Sequence, residues 1–95
     1  MLISTAQYAT AHGSKYLQQL CKHFAHKAEV TFDDTSGRVV LQPGLATMTA
    51  DDTGLTIQIE AEDAKNLIQA RFVIDSHLVT FAHREGFAGL DWKLT

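Results

Sequence analysis

The feature that most constrains this chain is a run of four short segments between residues 29 and 61, three of which alternate between apolar and polar residues. Alternation of apolar and polar residues with a period of two gives a strand one apolar and one polar face. In the clearest segment the apolar face has Leu55, Ile57, Ile59 and Ala61, and the polar face has Thr56, Gln58 and Glu60. Short turns that contain glycine separate the segments, and such turns favour antiparallel neighbours. The middle of the chain therefore predicts a four-stranded antiparallel meander.

The turns of this meander are rich in aspartate, proline and glycine. Residues 34–37 and 51–54 form two acidic turns, which lack the twelve-position ligand pattern of a calcium loop. Pro43 and Gly44 stand between them. Because proline fixes its own φ and glycine accepts a positive φ, this pair predicts a type II turn.

Helical spacing flanks the meander on both sides. The first helix is predicted over residues 14–27, with the hydroxyl of Ser14 as its N-cap. Its apolar stripe, with members three and four residues apart, consists of Leu17, Leu20, Cys21 and Phe24. The second helix is predicted over residues 62–85 and stops at Gly86. Its core stripe consists of Leu67, Ile74, Leu78 and Phe81, whereas Phe72 and Val79 form an apolar shoulder outside that stripe.

Two extended segments complete the predicted order of elements. Residues 2–10 alternate loosely and predict a first strand, and residues 87–94 alternate again and predict a docked extended tail. The order β-α-β-β-β-β-α predicts an α+β fold in which an antiparallel sheet carries both helices on one face. This order resembles the TATA-box-binding-protein-like topology, and a shared topology does not by itself carry a function.

Length and composition indicate one ordinary globular domain, residues 1–95. No apolar run approaches the roughly 20 residues that span a bilayer, and no basic segment followed by an apolar one predicts a secretory signal. The single cysteine, Cys21, cannot form an internal disulfide. Together these features predict a protein of the reducing cytoplasm that is not inserted in a membrane. Eight basic residues scattered among eleven acidic ones predict no nucleic-acid partner, because such binders concentrate positive charge on one face.

The first helix carries three side chains that could bind a metal ion, namely Cys21, His23 and His26. At about 100° per residue, Cys21 falls on the core stripe, His26 nearly opposite and His23 on a flank between them. The pairs of histidines or cysteines that mark strong metal motifs are missing. We therefore predict no cofactor and a buried Cys21, and leave His23 and His26 open as helix-end partners or as ligands.

The second helix ends in another polar cluster, with His77, Arg84, Glu85 and, beyond it, Trp92. Glu85 falls on the core stripe, where a carboxylate needs a cation or a frayed helix end. In one interpretation Arg84 and Glu85 cap the helix and hold the segment around Trp92. In the other, the ends of the two helices bring His23, His77, Arg84 and Glu85 into one polar pocket with a histidine–glutamate acid/base pair.

Several of these strings resemble a bacterial family filed as domain of unknown function 2218. The resemblance lies in residues 16–27 and 29–33, in His77-Leu78, Phe81-Ala82 and Arg84-Glu85, and in the closing Asp91-Trp92. It extends over essentially the whole chain and implies a bacterial source and a stand-alone domain. Some relatives are linked to siderophore-interacting flavoproteins, which implies a connection to iron physiology. The family has no established activity, so the resemblance implies no catalytic residue.

Two functions stay open from the sequence. The first is a non-enzymatic accessory module that binds a small ligand or a protein partner, with a second copy of the chain among the partners. Its candidate binding residues are His23, His26, Lys27, Arg84 and Trp92. The alternative is a small metal-dependent or acid/base enzyme that uses His23, His77 and Glu85, with His26 as a further candidate.

Overall fold

The computed structural model covers residues 1–95 and contains six strands and two α-helices. The strands are β1 (Leu2–Ala9), β2 (Glu29–Phe32), β3 (Ser36–Val40), β4 (Leu45–Asp51), β5 (Gly54–Ala61) and β6 (Lys93–Leu94). The helices are α1 (Gly13–Phe24) and α2 (Ala64–Phe81), and a 3-10 turn, His83–Glu85, follows α2. The predicted α+β class, with an antiparallel sheet and two helices, is confirmed. The predicted order differs in detail, because a 3-10 turn and a sixth strand follow the second helix.

All six strands belong to one antiparallel sheet with the order β2-β3-β4-β5-β1-β6. The meander supplies β2 to β5, since each of these strands pairs with the next through a short turn. The first strand then lies against β5, with Leu2 opposite Ala61. Of the predicted extended tail, only Lys93 and Leu94 form a strand, and they pair with β1.

The core lies between the helices and the apolar faces of the central strands. Its fully buried side chains include Leu17 and Leu20 of α1, Ile74 and Leu78 of α2, and Val39, Met48, Ile57 and Ile59 of the sheet. Each such Leu, Ile or Val contributes about 1.5–3 kcal/mol through burial. Neither α-helix combines the length and apolarity that a membrane crossing needs.

Helix α1 lies close to β3 because glycine occupies position 37. A Cβ atom there would be 2.7 Å from the Sγ atom of Cys21 and 3.4 Å from Leu17. Cys21 is fully buried at this contact, and burial raises the pKa of its thiol to about 11. The thiol therefore stays protonated and fills space in the core.

The observed helix ends differ from the predicted ones. Helix α1 begins at Gly13 with His12 in the N-cap position, so the predicted Ser14 cap is wrong. The Ser14 hydroxyl donates instead to the Asp34 carbonyl at 2.6 Å. The helix ends at Phe24 rather than at residue 27, because the amides of Lys27 and Ala28 both turn back to the Phe24 carbonyl.

Helix α2 is shorter at both ends than the predicted range. Asp63 caps it by accepting a hydrogen bond from the Asn66 amide at 2.8 Å. The regular helix ends at Phe81, and the chain continues as the 3-10 turn up to Gly86. Gly86 has a φ of 75°, a left-handed conformation that favours glycine and stops the helical path.

The turn at Pro43 and Gly44 is not of type II, because Gly44 does not have a positive φ. The turn is closed by the Leu41 amide donating to the Gly44 carbonyl at 2.9 Å and by the reverse bond at 3.2 Å. A Cβ atom at position 44 would lie 2.6 Å from the Glu60 carbonyl oxygen. Glycine is therefore needed here for close approach to β5 rather than for its φ.

Candidate functional site

Two histidines from different helices meet at the surface, where the end of α1 lies beside α2. The ring centroids of His23 and His77 are 4.5 Å apart, and their planes are tilted by 51°. His23 is exposed and His77 is half-buried. The structure thus brings together two of the candidate residues, which we call the histidine pair.

Aromatic side chains surround the histidine pair. The buried ring of Phe24 has its centroid 4.8 Å from that of His77, in an edge-to-face arrangement. The ring of Phe81 lies 6.2 Å from His23, also edge-to-face. Aromatic rings therefore pack against both imidazoles in the edge-to-face geometry that such rings prefer.

A backbone contact sets the tautomer of His77. Its Nδ1 atom lies 2.7 Å from the carbonyl oxygen of Val73. Because a carbonyl oxygen can only accept, Nδ1 carries the proton in this bond. The neutral imidazole then has an unprotonated Nε2 with a free lone pair.

The electrostatic surroundings of His23 favour its neutral imidazole. Desolvation lowers the pKa of His23, and the positive charges of His77, Lys27 and His26 lower it further. The molecule has a single ion pair between side chains, Arg38 with Glu29, and it lies on the sheet. No carboxylate therefore forms an ion pair with the histidine pair.

Glu85 does not join the histidines. Its carboxylate accepts hydrogen bonds from the hydroxyls of Tyr16, of Thr10 at 2.8 Å and of Tyr8 at 3.2 Å. The 3-10 turn directs Glu85 towards the N-terminal end of α1, whereas His23 lies at the other end of that helix. We call these four residues the hydroxyl cluster.

The hydroxyl cluster shifts the pKa of its members. The bond from Tyr16, with those from Thr10 and Tyr8, holds the pKa of Glu85 below its usual range. Burial and the Glu85 carboxylate raise the pKa of Tyr16 to about 12. The sequence did not single out Tyr8, Thr10 or Tyr16, although a tyrosine on an apolar face needs a partner for its hydroxyl.

Trp92 is held by α2. One interpretation of the sequence assigned this role to Arg84 and Glu85 instead. The Nε1 atom of Trp92 donates to both carboxylate oxygens of Asp75, at 3.2 and 3.1 Å. The guanidinium carbon of Arg71 lies 5.7 Å from the Trp92 ring centroid, a cation–π distance. Arg84 is exposed and forms no ion pair.

The predicted metal candidates on the first helix lie apart from one another. Cys21 is in the core, while His26 and Lys27 are exposed in the turn after α1. No three or more His, Cys, Asp or Glu side chains are grouped so that they could hold one ion. The histidine pair therefore offers two protein ligands.

The histidine pair lies at the surface, with His23 exposed and His77 half-buried. Five surface depressions of about 170 to 350 Å³ are lined by other residues, mostly along the sheet and its acidic turns. A drug-sized organic ligand normally buries most of its surface in a concave site. The open position of the pair suits a ligand that is held by a few coordinating atoms rather than by the surface of a cavity.

Comparison with known proteins gives a family and a fold. The family of uncharacterized proteins conserved in bacteria, DUF2218, matches residues 5–93. The NMR structure of PA4090 from Pseudomonas aeruginosa is similar, with 25% sequence identity and a TM-score of 0.81. That similarity covers 98% of this chain and 96% of the other. A search of curated proteins finds no match.

Proposed function

The chain belongs to the DUF2218 family of bacterial proteins, and we propose that it is a non-enzymatic binding module that holds a divalent transition-metal ion at the histidine pair. The observation that carries this proposal is the approach of two imidazoles from separate helices to a centroid distance of 4.5 Å. Neutral imidazole is the commonest protein ligand for such ions. Zinc, copper, nickel and ferrous iron all accept it.

The bond between His77 and Val73 supports the same proposal. Histidines that bind metals usually donate their other ring N–H to a carboxylate or a backbone carbonyl. That bond fixes the tautomer and turns the remaining nitrogen towards the ion. His77 already has this partner at 2.7 Å, which leaves its Nε2 unprotonated and available to a metal ion.

The choice of an ion over a larger ligand rests on shape. The pair lines none of the five depressions described above and His23 is exposed, so an organic ligand at the pair would leave most of its own surface in water. An ion gains its affinity from two nitrogen ligands and completes its coordination with other donors. The link of some relatives to siderophore-interacting flavoproteins supports a role in bacterial iron handling, since ferrous iron is among the ions that imidazole binds.

The alternative, an acid/base enzyme, needs a carboxylate beside one of these histidines. Glu85 was its candidate, and this carboxylate is bonded to Tyr8, Thr10 and Tyr16. No other Asp or Glu forms an ion pair with a histidine. The geometry therefore favours binding over catalysis.

The remaining expectations form part of the proposal. A cytoplasmic location is supported by the single buried cysteine. A partner other than nucleic acid is supported by Glu29 and Glu60, which offset Arg38 and Lys93 on the open face of the sheet. A TATA-box-binding-protein-like topology is supported by β1 lying next to β5 beside the meander.

Calorimetric titration of the tag-free protein with Zn²⁺, Ni²⁺ or, without oxygen, Fe²⁺ tests the proposal. We expect saturable binding by the wild type and at least about tenfold weaker binding by His23→Ala and by His77→Gln, because each removes one of two protein ligands. His26→Ala is the matched control, since His26 is exposed at the same helix end and should leave affinity unchanged. Thermal melting shows whether each variant is folded. Equal affinity in folded wild type and His77→Gln would refute the proposal.

A further inference from the structure

We infer that the metal site is shared, with His23 and His77 of two copies of this chain placing four imidazoles around one ion. This inference rests on the proposed function, because it names what completes the same site. It makes the ion the bridge of a two-fold symmetric dimer.

One chain supplies too few ligands for a stable metal site. A zinc ion in a stable protein site is usually held by four tetrahedral protein ligands. The histidine pair supplies two, and no third His, Cys, Asp or Glu side chain is grouped with it. Cys21 is in the core and Glu85 is taken up by the hydroxyl cluster, so neither can supply a missing ligand.

Two-fold symmetry would double the number of ligands. In a two-fold dimer the same patch of both copies forms the interface, so every residue at the axis occurs twice. An ion on that axis would receive His23 and His77 from each copy, which doubles two ligands to the four that are needed. The pair also lies on open surface, and His23 is exposed, so a second copy can approach without any rearrangement of the chain.

The side chains next to the histidine pair would surround the axis of the dimer. The half-buried aromatic ring of Phe81 lies beside His23 and offers apolar contact between the copies. Lys27 and His26 are the charged or titratable neighbours that act on His23, and no ion pair offsets them. The positive charge of Lys27 on each copy opposes their approach when no ion is present, and salt at a physiological concentration screens this repulsion over about 8 Å.

Sedimentation velocity of the tag-free protein during a Zn²⁺ titration tests the inference. We expect a monomer in EDTA, a dimer that is complete at one ion per two chains, and a return to monomer when EDTA is added again. His23→Ala and His77→Gln should stay monomeric at every Zn²⁺ concentration, whereas His26→Ala should dimerise like the wild type. His23 is exposed, so a folded His23→Ala protein remains informative even when a substitution at His77 disturbs the fold.

The outcomes separate the two proposals. One ion per chain with an unchanged monomer mass would overturn the shared site and leave the proposed function standing. No binding of Zn²⁺, Ni²⁺ or Fe²⁺ would overturn both. A dimer that persists in EDTA, or one that His77→Gln still forms, would also overturn the shared site. Substitution with Co²⁺ gives a geometric check, because a tetrahedral site with four nitrogens absorbs visible light far more strongly than octahedral hydrated Co²⁺.

Discussion

The carboxylate of Glu85 joins the turn after α2 to three hydroxyls near the start of the chain. Its partners Tyr8, Thr10 and Tyr16 come from β1, from the following loop and from α1. A hydrogen bond to a charged group stabilises a protein more than one between neutral groups. The hydroxyl cluster therefore fastens the C-terminal part of the chain to its N-terminal part.

The ionisation of the tyrosines reports on this cluster, because Tyr8 and Tyr16 are the only two in the chain. The pKa of Tyr8 is raised and that of Tyr16 is raised to about 12, with burial as the first cause of both. A raised folded-state pKa means stability that is fully present below pH 10 and lost as pH rises towards 12. Absorbance at 295 nm should show ionisation above pH 10 in the folded protein. Glu85→Gln should lower both midpoints only in part, since burial remains.

Glu62→Gln is the control for this titration, since Glu62 is exposed and has no hydrogen bond to a tyrosine. It should leave the absorbance curve unchanged. Two tyrosines that ionise at pH 10 in the folded wild type would contradict the hydroxyl cluster as described.

Sequence reasoning reached the histidine pair more easily than the hydroxyl cluster. Both histidines sit on helix flanks, so their approach needed only that the two helices pack side by side. The bond from Tyr16 to Glu85 joins residues 69 positions apart and depends on the 3-10 turn after Phe81. Helical periodicity carries no information about such a turn, so it leaves open both a helix cap and a position beside a histidine for Glu85.

Among the elements, the strands agree with the prediction from the sequence more closely than the helix ends do. Alternation predicted three strands of the meander, because a half-buried strand alternates, and the flanking turns predicted the fourth. The helix ends depended on competing local bonds that the pattern does not show. The hydroxyl of Ser14, for example, reaches the Asp34 carbonyl across the fold instead of capping its own helix.

The contact between α1 and β3 predicts a coupled pair of substitutions. Gly37→Ala should lower the free energy of unfolding by about 1–3 kcal/mol, because the added Cβ overlaps with the Sγ atom of Cys21. Cys21→Ala removes that atom, so the double variant should regain most of the loss. Urea unfolding of the wild type, both single variants and the double variant gives the coupling energy. Strictly additive effects would show that Cys21 does not limit the approach of α1.

At the scale of the whole molecule, the C-terminal segment completes the sheet by returning to its edge. Asp75 of α2 accepts from the Leu90 amide at 3.2 Å and from the Trp92 indole at 3.1 Å. Lys93 and Leu94 then pair with β1 at the edge of the sheet. The sequence predicted a docked tail but not its anchor, because Asp75 has no special position in the helical pattern.

Asp75 itself gives a prediction for stability and pH. Burial raises its pKa, so the folded state binds this proton more tightly than the unfolded chain does, and the charged carboxylate lowers stability as pH rises. Asp75→Asn removes the charge and keeps an acceptor, so it should be at least as stable as the wild type at pH 7. Asp75→Ala should lose about 1–2 kcal/mol, because the indole and an amide lose their acceptor.

The fluorescence of Trp92 separates these two variants, since it is the only tryptophan in the chain. Its emission should shift to longer wavelength in Asp75→Ala, where the ring gains contact with water, and stay in place in Asp75→Asn. Denaturant unfolding supplies the matching free energies. An Asp75→Ala protein with wild-type emission and stability would show that the segment is held by other contacts.

The position of β1 in the sheet also bears on folding during synthesis. Leu2 pairs with Ala61, so the ribosome adds some 60 residues between the two partners. At about 5–20 residues per second, this strand waits roughly 3–12 seconds for its neighbour. During that interval α1 and the early hairpins of the meander can form from local contacts, while β1 stays unpaired and accessible to a chaperone. The N-terminal strand is thus made before its partner and is bonded late, once the last strand of the meander has been synthesised.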